Sequence, residues 1–382
     1  MEKSEAEFSR EEILRYSRHI LIPEFRIEGQ LRLKKSKVLV IGAGGLGSPI
    51  LLYLAAAGVG QIGIVDGDQI DETNLQRQVI FDTTRLGKLK AEEAASTIRK
   101  LNPHVHVETY ITWLKAENAL DIIRPYDLVI DGTDNFPTRY LVNDACVLLG
   151  KPLVYGSIFQ FEGQVSVFNH LDQDGNQGPN YRDLFPEPPP PGLVPSCSEG
   201  GVLGVLPGII GSMQANEAIK ILTGIGSTLS GRLFIFDALN FQALTLKISR
   251  NPDVAPIEEL IDYNAFCGIN TTEKSSDMPE LSPIQFVELK KANREIQLID
   301  VREPYEYAIA DIGGEKIPLA EIEKQIKQIR TEGLVVFYCR SGRRSAEAIQ
   351  RLKNLKAFNN LYNLTGGILA YIEEIDSSLN RY

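Results

Sequence analysis

One short run constrains this chain more than any other. Gly42-Ala-Gly44-Gly45-Leu-Gly47 lies between the apolar stretch Lys37-Val-Leu-Val-Ile41 and an apolar segment from Ser48 to Ala57. The β-branched stretch predicts a strand buried on both faces, and the segment behind the glycines predicts a helix. Glycines at such a junction allow a tight turn and bring backbone amides close to a phosphate at the helix N-terminus. Asp66 closes the next strand, where a carboxylate can accept from ribose hydroxyls. A lone glycine turn also suits a nicotinamide-dependent oxidoreductase, so at this point two nucleotide chemistries stand open.

The alternation continues along the chain. Strands are predicted over Gln61–Asp66, His104–Tyr110, Tyr126–Asp131 and Lys151–Ser157, and helices over Glu11–Ile22, Lys88–Leu101 and Thr138–Leu149. This predicts an α/β fold with a Rossmann-like, doubly wound sheet. From Gln164 the pattern changes: Val165–Phe168 and Arg232–Phe236 predict an antiparallel extension, which makes the sheet mixed. The proline-rich run Phe185–Gly192 predicts an extended crossover, and Gly208–Leu222 a long apolar helix. A polar linker over 271–281 precedes a small α/β unit at 282–382, with strands Gln297–Val301, Leu334–Cys339 and Asn360–Leu364 and a helix Arg344–Lys353.

Thr73-Asn74-Leu-Gln-Arg77-Gln78 follows the second strand, and a dehydrogenase has no evident need of Arg77 there. An enzyme that cleaves ATP between its α- and β-phosphates needs cations and amide donors over the phosphates, which Arg77, Asn74 and Lys90 supply. Gly132-Thr-Asp134-Asn135 follows another strand end, where open α/β sheets bind ligands and where Asp134 is set to hold Mg2+. Taken singly, Arg77 and Lys90 read equally as solvated cations and Asp134 as a helix cap; gathered on one sheet edge they do not.

These motifs resemble the MoeB/ThiF family, bacterial relatives of ubiquitin-activating enzymes, from Glu12 to Gly268, and Arg15-Tyr-Ser-Arg18-His-Ile20 is similar to that family's first helix. The resemblance implies an ATP-dependent adenylation unit over residues 1–270. Its site would comprise Gly42, Gly44, Gly45, Gly47, Asp66, Asn74, Arg77, Gln78, Lys90, Asn135 and the Mg2+-holding Asp134. It further implies a homodimer in which Arg18 reaches the partner subunit's ATP. The substrate would be the flexible Gly-Gly tail of a ubiquitin-like sulfur carrier, for which Gly156 to Gly163 leaves room.

The four cysteines are scattered and form no disulfide framework, which fits a reducing compartment. Cys146 sits in an apolar helix and reads as core. Cys197 follows the proline run in Pro195-Ser-Cys-Ser-Glu-Gly200; it is either a plain loop thiol or, at the position of the catalytic cysteine in fused members of the family, an attacker of the acyl-adenylate. Family members carry two Cys-x-x-Cys pairs for zinc. Here the first pair would fall at Asn180-Tyr-Arg-Asp183 and the second near Val254–Ile257, with only Cys267 nearby, so no structural zinc is expected.

Cys339-Arg340-Ser341-Gly342-Arg343-Arg344-Ser345 joins a buried strand to a helix, and its amides and three arginines favour an anionic sulfur. Together with Ile299-Asp300-Val-Arg-Glu-Pro-Tyr-Glu306 and Gly366-Gly367 it resembles a rhodanese domain, which implies a persulfide on Cys339, with Asp300 structural. The combined expectation is carrier adenylation followed by sulfur transfer to give a thiocarboxylate, with a cysteine desulfurase as a donor. Molybdopterin, thiamine, tRNA-thiolation and cysteine pathways are all open. A non-catalytic sulfur-relay scaffold with a vestigial ATP site is a further alternative.

Composition removes other classes. The net charge of −10 over 382 residues, without a long Lys/Arg cluster, does not suit a nucleic-acid binder. No apolar run is long enough to span a bilayer, and residues 1–10 lack a signal-peptide core, so a cytoplasmic location is expected.

Overall fold

The computed structural model describes residues 8–171, 175–190, 200–268, 278–292, 295–356 and 358–382. Two compact units divide the chain, Met1–Thr271 and Thr272–Tyr382. The first is built on eight strands: β1 (Lys37–Ile41), β2 (Gln61–Val65), β3 (His106–Tyr110), β4 (Leu128–Asp131), β5 (Leu153–Phe159), β6 (Glu162–Phe168), β7 (Arg232–Asp237) and β8 (Gln242–Lys247). They lie in the order β3-β2-β1-β4-β5-β6-β7-β8. β1 to β5 run parallel, and β6 to β8 continue antiparallel. The fold is therefore the expected doubly wound mixed sheet.

Side-chain alternation explains why the sheet is covered on both faces. Val38 and Val40 of β1, with Leu128 and Ile130 of β4, enter one core, and Leu39, Ile41 and Val129 enter the other. α2 (Arg26–Lys35), α3 (Gly47–Ala57), α4 (Lys90–Leu101) and the helix Leu206–Thr223 contribute to the first core; α5 (Ala116–Ile123) and α6 (Phe136–Leu149) contribute to the second. The chain thus switches faces between β1 and β4, so a crevice opens beyond their carboxyl ends, where open α/β sheets bind ligands. α1 (Arg10–Ile20) starts with a Ser9/Glu12 capping box, and Glu12 also pairs with Lys34 of α2.

Several boundaries differ from expectation for local reasons. α4 starts at Lys90, not Lys88, because Leu89 is held extended by a bridge to Gln69. α6 starts at Phe136 because Asn135 caps it and Pro137 fits the first turn. The long helix likewise starts two residues earlier than expected, at Leu206, where Pro207 fits the first turn. Part of the proline run and Cys197 fall at 191–199, outside the described residues.

The second unit carries a five-stranded parallel sheet of Glu315–Lys316, Ile296–Asp300, Leu334–Tyr338, Leu361–Leu364 and Glu280–Leu281, in that order. The helix Arg343–Leu355 starts directly behind the central strand Leu334–Tyr338, which is paired on both sides.

Candidate active site: a nucleotide crevice and a thiol loop

The crevice is shaped first by backbone. Gly42 adopts φ +93°, and a Cβ there would stand 2.9 Å from the Gly132 carbonyl oxygen. A Cβ on Gly47 would stand 2.0 Å from the Gly42 oxygen, so no other residue fits. The turn after β1 and the turn after β4 are therefore interlocked glycine against glycine. Arg77 lies across this turn, its Cδ 3.6 Å from a Cβ built on Gly45, while Gln78 Nε2 lies 3.7 Å from one on Gly44. Gln78 Oε1 is buried and has no hydrogen-bond partner among the described residues.

Asp66 ends up tying the turn together. Its Oδ2 accepts from the Ala43 amide at 2.8 Å and its Oδ1 from the Asp68 amide at 2.9 Å. Burial pushes its carboxyl above the ordinary value despite these bonds. Each oxygen keeps a lone pair, so ribose contact is still open to it. Arg77 Nη1 donates to the Thr73 carbonyl at 2.9 Å, and the Asn74 carbonyl accepts from the Arg77 and Gln78 amides. Asn74 Oδ1 is engaged with the Asp71 amide, so this side chain shapes its own loop. Lys90 is buried, with its Nζ 2.6 Å from Asp68 Oδ2.

Asp134 is exposed and bonds no described residue, which fits a hard cation seeking a carboxylate oxygen. The helix cap is its neighbour: Asn135 Oδ1 accepts from the Thr138 amide at 3.0 Å and keeps its second lone pair. Arg18 is exposed on α1 and bonds none of these residues. The glycines expected to leave room for a tail are filled instead. Cβ atoms at Gly156 and Gly163 would meet Gln214 and Ile210 of the long helix, so these positions serve helix–sheet contact.

Sequence reasoning gave no site role to Asp68, Asp131, Arg139 and Gln214, which the structure places around these turns. Asp131 is fully buried and faces Arg139, while Gln214 Nε2 donates to the Asp131 carbonyl at 2.7 Å. An arginine inside the apolar run of α6 was the available signal.

The thiol loop is a second centre. Cys339 is 1% exposed, and its Sγ accepts from the Gly342 amide at 3.1 Å, with Ser345 Oγ 3.5 Å away. Gly342 has φ +90°, and a Cβ on Gly367 would lie 2.4 Å from the Cys339 oxygen, so both glycines are required. Ser345 Oγ also lies 2.7 Å from Asn363 Oδ1. Ser341 and Arg343 are exposed at the rim. The arginines are not all turned to sulfur. Arg344 grips Glu306 through two bonds of 2.6 and 2.7 Å, and Arg340 Nε donates to the Tyr382 carbonyl at 2.7 Å. Tyr382, also unforeseen, takes a bond from Arg302, which is itself paired with Asp300 in the interior. That pair gives Asp300 the structural part expected of it.

The two positions where relatives would carry zinc ligands do not fit the metal. A guanidinium stands there: Arg182 forks onto Asp144 at 2.9 and 2.7 Å, Tyr263 donates to the same carboxylate at 2.8 Å, and Arg182 lies 4.7 Å over the Phe266 ring. Asp183 spends its carboxylate on the Asn180 and Asn251 amides. Among the described residues no cluster of three or more His, Cys, Asp and Glu side chains is arranged to hold a metal.

Comparison with known proteins agrees with this architecture. Residues 16–256 match the ThiF family and residues 283–374 the rhodanese-like domain. The chain is 48% identical to the probable adenylyltransferase/sulfurtransferase MoeZ of Mycobacterium tuberculosis, over 98% of this chain and 96% of that protein. It is 54% identical to the sulfur carrier protein adenylyltransferase of Thermus thermophilus, over 69% of this chain and 99% of that protein. It is 42% identical to the adenylyltransferase and sulfurtransferase MOCS3 of Drosophila grimshawi, over 98% of this chain and 87% of that protein. The crystal structure of E. coli MccB with MccA-N7isoASN shares the fold, with a TM-score of 0.56 at 21% identity, over 68% of this chain and 75% of that one. The chain belongs to the ThiF family, with a rhodanese-like domain joined behind it, and is an enzyme of the adenylyltransferase/sulfurtransferase class.

Proposed function

We propose that the first unit adenylates the C-terminal glycine of a ubiquitin-like sulfur carrier with ATP, and that the second transfers sulfur to the activated carbon to give a thiocarboxylate. The interlocked turns after β1 and β4 support this reading: Arg77 and Gln78 lie against Gly45 and Gly44 of the first, and the exposed Asp134 belongs to the second. A carboxylate is a poor electrophile. Attack of the carrier's carboxylate oxygen on the α-phosphate expels pyrophosphate and leaves an acyl-AMP anhydride, in which AMP is a good leaving group. Arg77 and Lys90 neutralise charge on the phosphates, and the backbone amides of the glycine turn donate to them. Asp134 would hold Mg2+ there, and the ion would supply charge neutralisation. Arg18 serves the site of a partner subunit; the exposure of Leu14 in α1, at 77%, and of Leu21 just behind it, at 70%, supports a dimer.

A persulfide on Cys339, loaded by an upstream sulfur donor such as a cysteine desulfurase, attacks the anhydride carbonyl and releases AMP. The product is an acyl disulfide. A thiol, from Cys197 or a small cellular thiol, cleaves its S–S bond; the carrier leaves as a thiocarboxylate, and the new disulfide is returned to thiols by a cellular thiol reductant. The Gly342 amide supports the anionic sulfur by donating to Cys339. All these steps suit a reducing cytoplasm. Neither matched family is that of a nicotinamide-dependent oxidoreductase, the rival left open by the glycine turn alone. The test is mass spectrometry of a Gly-Gly-ended carrier incubated with the protein, ATP and thiosulfate. The carrier should gain AMP first and then exchange the terminal oxygen for sulfur; an unchanged carrier with every candidate offered refutes the reading.

A further inference from the structure

A buried arginine beneath the crevice has no part in the scheme so far. Arg139 projects from α6, with 7% of its surface exposed, and reaches three structures at once. Its Nη2 donates to the Thr133 carbonyl at 3.1 Å, its Nη1 lies 3.4 Å from Ser157 Oγ on β5, and its Nε stands 3.4 Å from Asp131 Oδ2. Asp131 in turn grips the same turn from its other side, with Oδ1 accepting from the Thr133 amide at 2.8 Å and the Thr133 hydroxyl at 2.6 Å. The Tyr155 ring lies 5.2 Å from the guanidinium carbon and fixes its plane.

We propose that Arg139 is a positioning residue for the adenylation step: with Asp131 it clamps Thr133 so that the next residue, Asp134, stays at the crevice. The proposal rests on the reading of Asp134 as a residue at the triphosphate. Its physical basis is the planar fork. Guanidinium offers donors in three directions at fixed angles, whereas a lysine ammonium supplies the charge without the fork. Charge alone is enough to compensate the buried Asp131, so the two contributions separate in a lysine variant. The bond to Thr133 is what the turn loses.

The experiment uses the full chain without carrier, so that binding is read without turnover. Arg139→Lys should melt close to the wild type, because Asp131 keeps a counter-charge. Its dissociation constant for MgATP in calorimetry should rise about tenfold, the scale of one well-placed hydrogen bond to a fixed turn. Amide hydrogen exchange at Thr133 and Asp134 should quicken while the remainder of the unit exchanges as before. Should Arg139→Lys fail to fold, the double variant Asp131→Asn/Arg139→Met removes both charges and should show the same weakened binding with the same local exchange. A folded variant with wild-type MgATP affinity and wild-type exchange at Thr133 overturns the proposal. Loss of protection spread evenly over the unit also overturns it, since that is the mark of a merely structural arginine. Failure of the wild type to bind MgATP at all refutes instead the reading of the crevice.

Discussion

Lys90 Nζ sits 2.6 Å from Asp68 Oδ2, so the cation read from sequence as a phosphate contact already has a carboxylate partner. The lysine side chain is 7% exposed and the aspartate 52%. On the proposed reading, a triphosphate entering the crevice would take the ammonium over from a carboxylate that water can readily solvate. Lys90→Ala should cost adenylation about 10²–10³-fold, the scale of one lost electrostatic donor to developing charge. Asp68→Asn, which leaves the donor in place, should cost less than about tenfold. Steady-state pyrophosphate exchange into ATP on both variants decides between them. Equal losses would mean that Asp68 takes part in the chemistry as directly as Lys90.

The two centres make separable predictions. Cys339→Ala should abolish sulfur transfer from thiosulfate to cyanide and stop thiocarboxylate formation, because no other described cysteine lies in a loop of amides. The same variant should still form carrier–AMP at the wild-type rate. Mass spectrometry of the carrier reads both outcomes in one sample.

Where relatives would use zinc, the fork of Arg182 on Asp144 ties the helix at 181–184 to α6, and Tyr263 adds the segment behind β8. The purified protein should contain no stoichiometric zinc by elemental analysis, and its melting should not change with a zinc-selective chelator. Arg182→Met leaves the nearly buried Asp144 without its partner and should destabilise the first unit by about 3 kcal/mol, measured by denaturant titration. One zinc per chain would contradict this account of the region.

The legible part of the chain was the part whose signal is local and apolar. β1, β2, β4 and the glycine turn are runs of β-branched residues and glycines with no competing reading. α2 was missed because its sequence, Arg26-Ile-Glu-Gly-Gln-Leu-Arg-Leu-Lys-Lys35, has a central glycine and a weak apolar stripe. β8 was missed because every residue of it is exposed, so no burial pattern marks it. The partners of site residues were the least visible. Asp68 for Lys90, Glu306 for Arg344 and Tyr382 for Arg340 are separated from them by 22, 38 and 42 positions, and only the fold joins them. The motif showed which residues carry charge, not which of those charges are already answered.

Glu306 provides a pH test. Burial alone would raise its carboxyl, but the Arg344 fork, the Glu303 amide and the nearby guanidiniums outweigh burial and hold it below the ordinary carboxylate value. A carboxyl lowered in the folded state adds stability above its unfolded value of about 4.3, and loses it as pH falls through the folded value. The second unit should therefore weaken in acid below about pH 4, and Glu306→Gln should remove that part of the acid dependence while lowering stability at pH 7. Melting followed by circular dichroism across pH checks the slope. An unchanged acid profile in Glu306→Gln would show that the fork contributes nothing.

The most direct measurement is carrier-dependent exchange of labelled pyrophosphate into ATP, run on the wild type and on Asp134→Ala. A crevice that activates a carboxylate predicts exchange in the wild type with a Gly-Gly-ended carrier, its loss by about 10²-fold or more in Asp134→Ala, and unchanged thiosulfate sulfurtransferase activity in both. Thiocarboxylate formation that survives intact in Asp134→Ala would contradict the account and leave a sulfur relay with a vestigial ATP site.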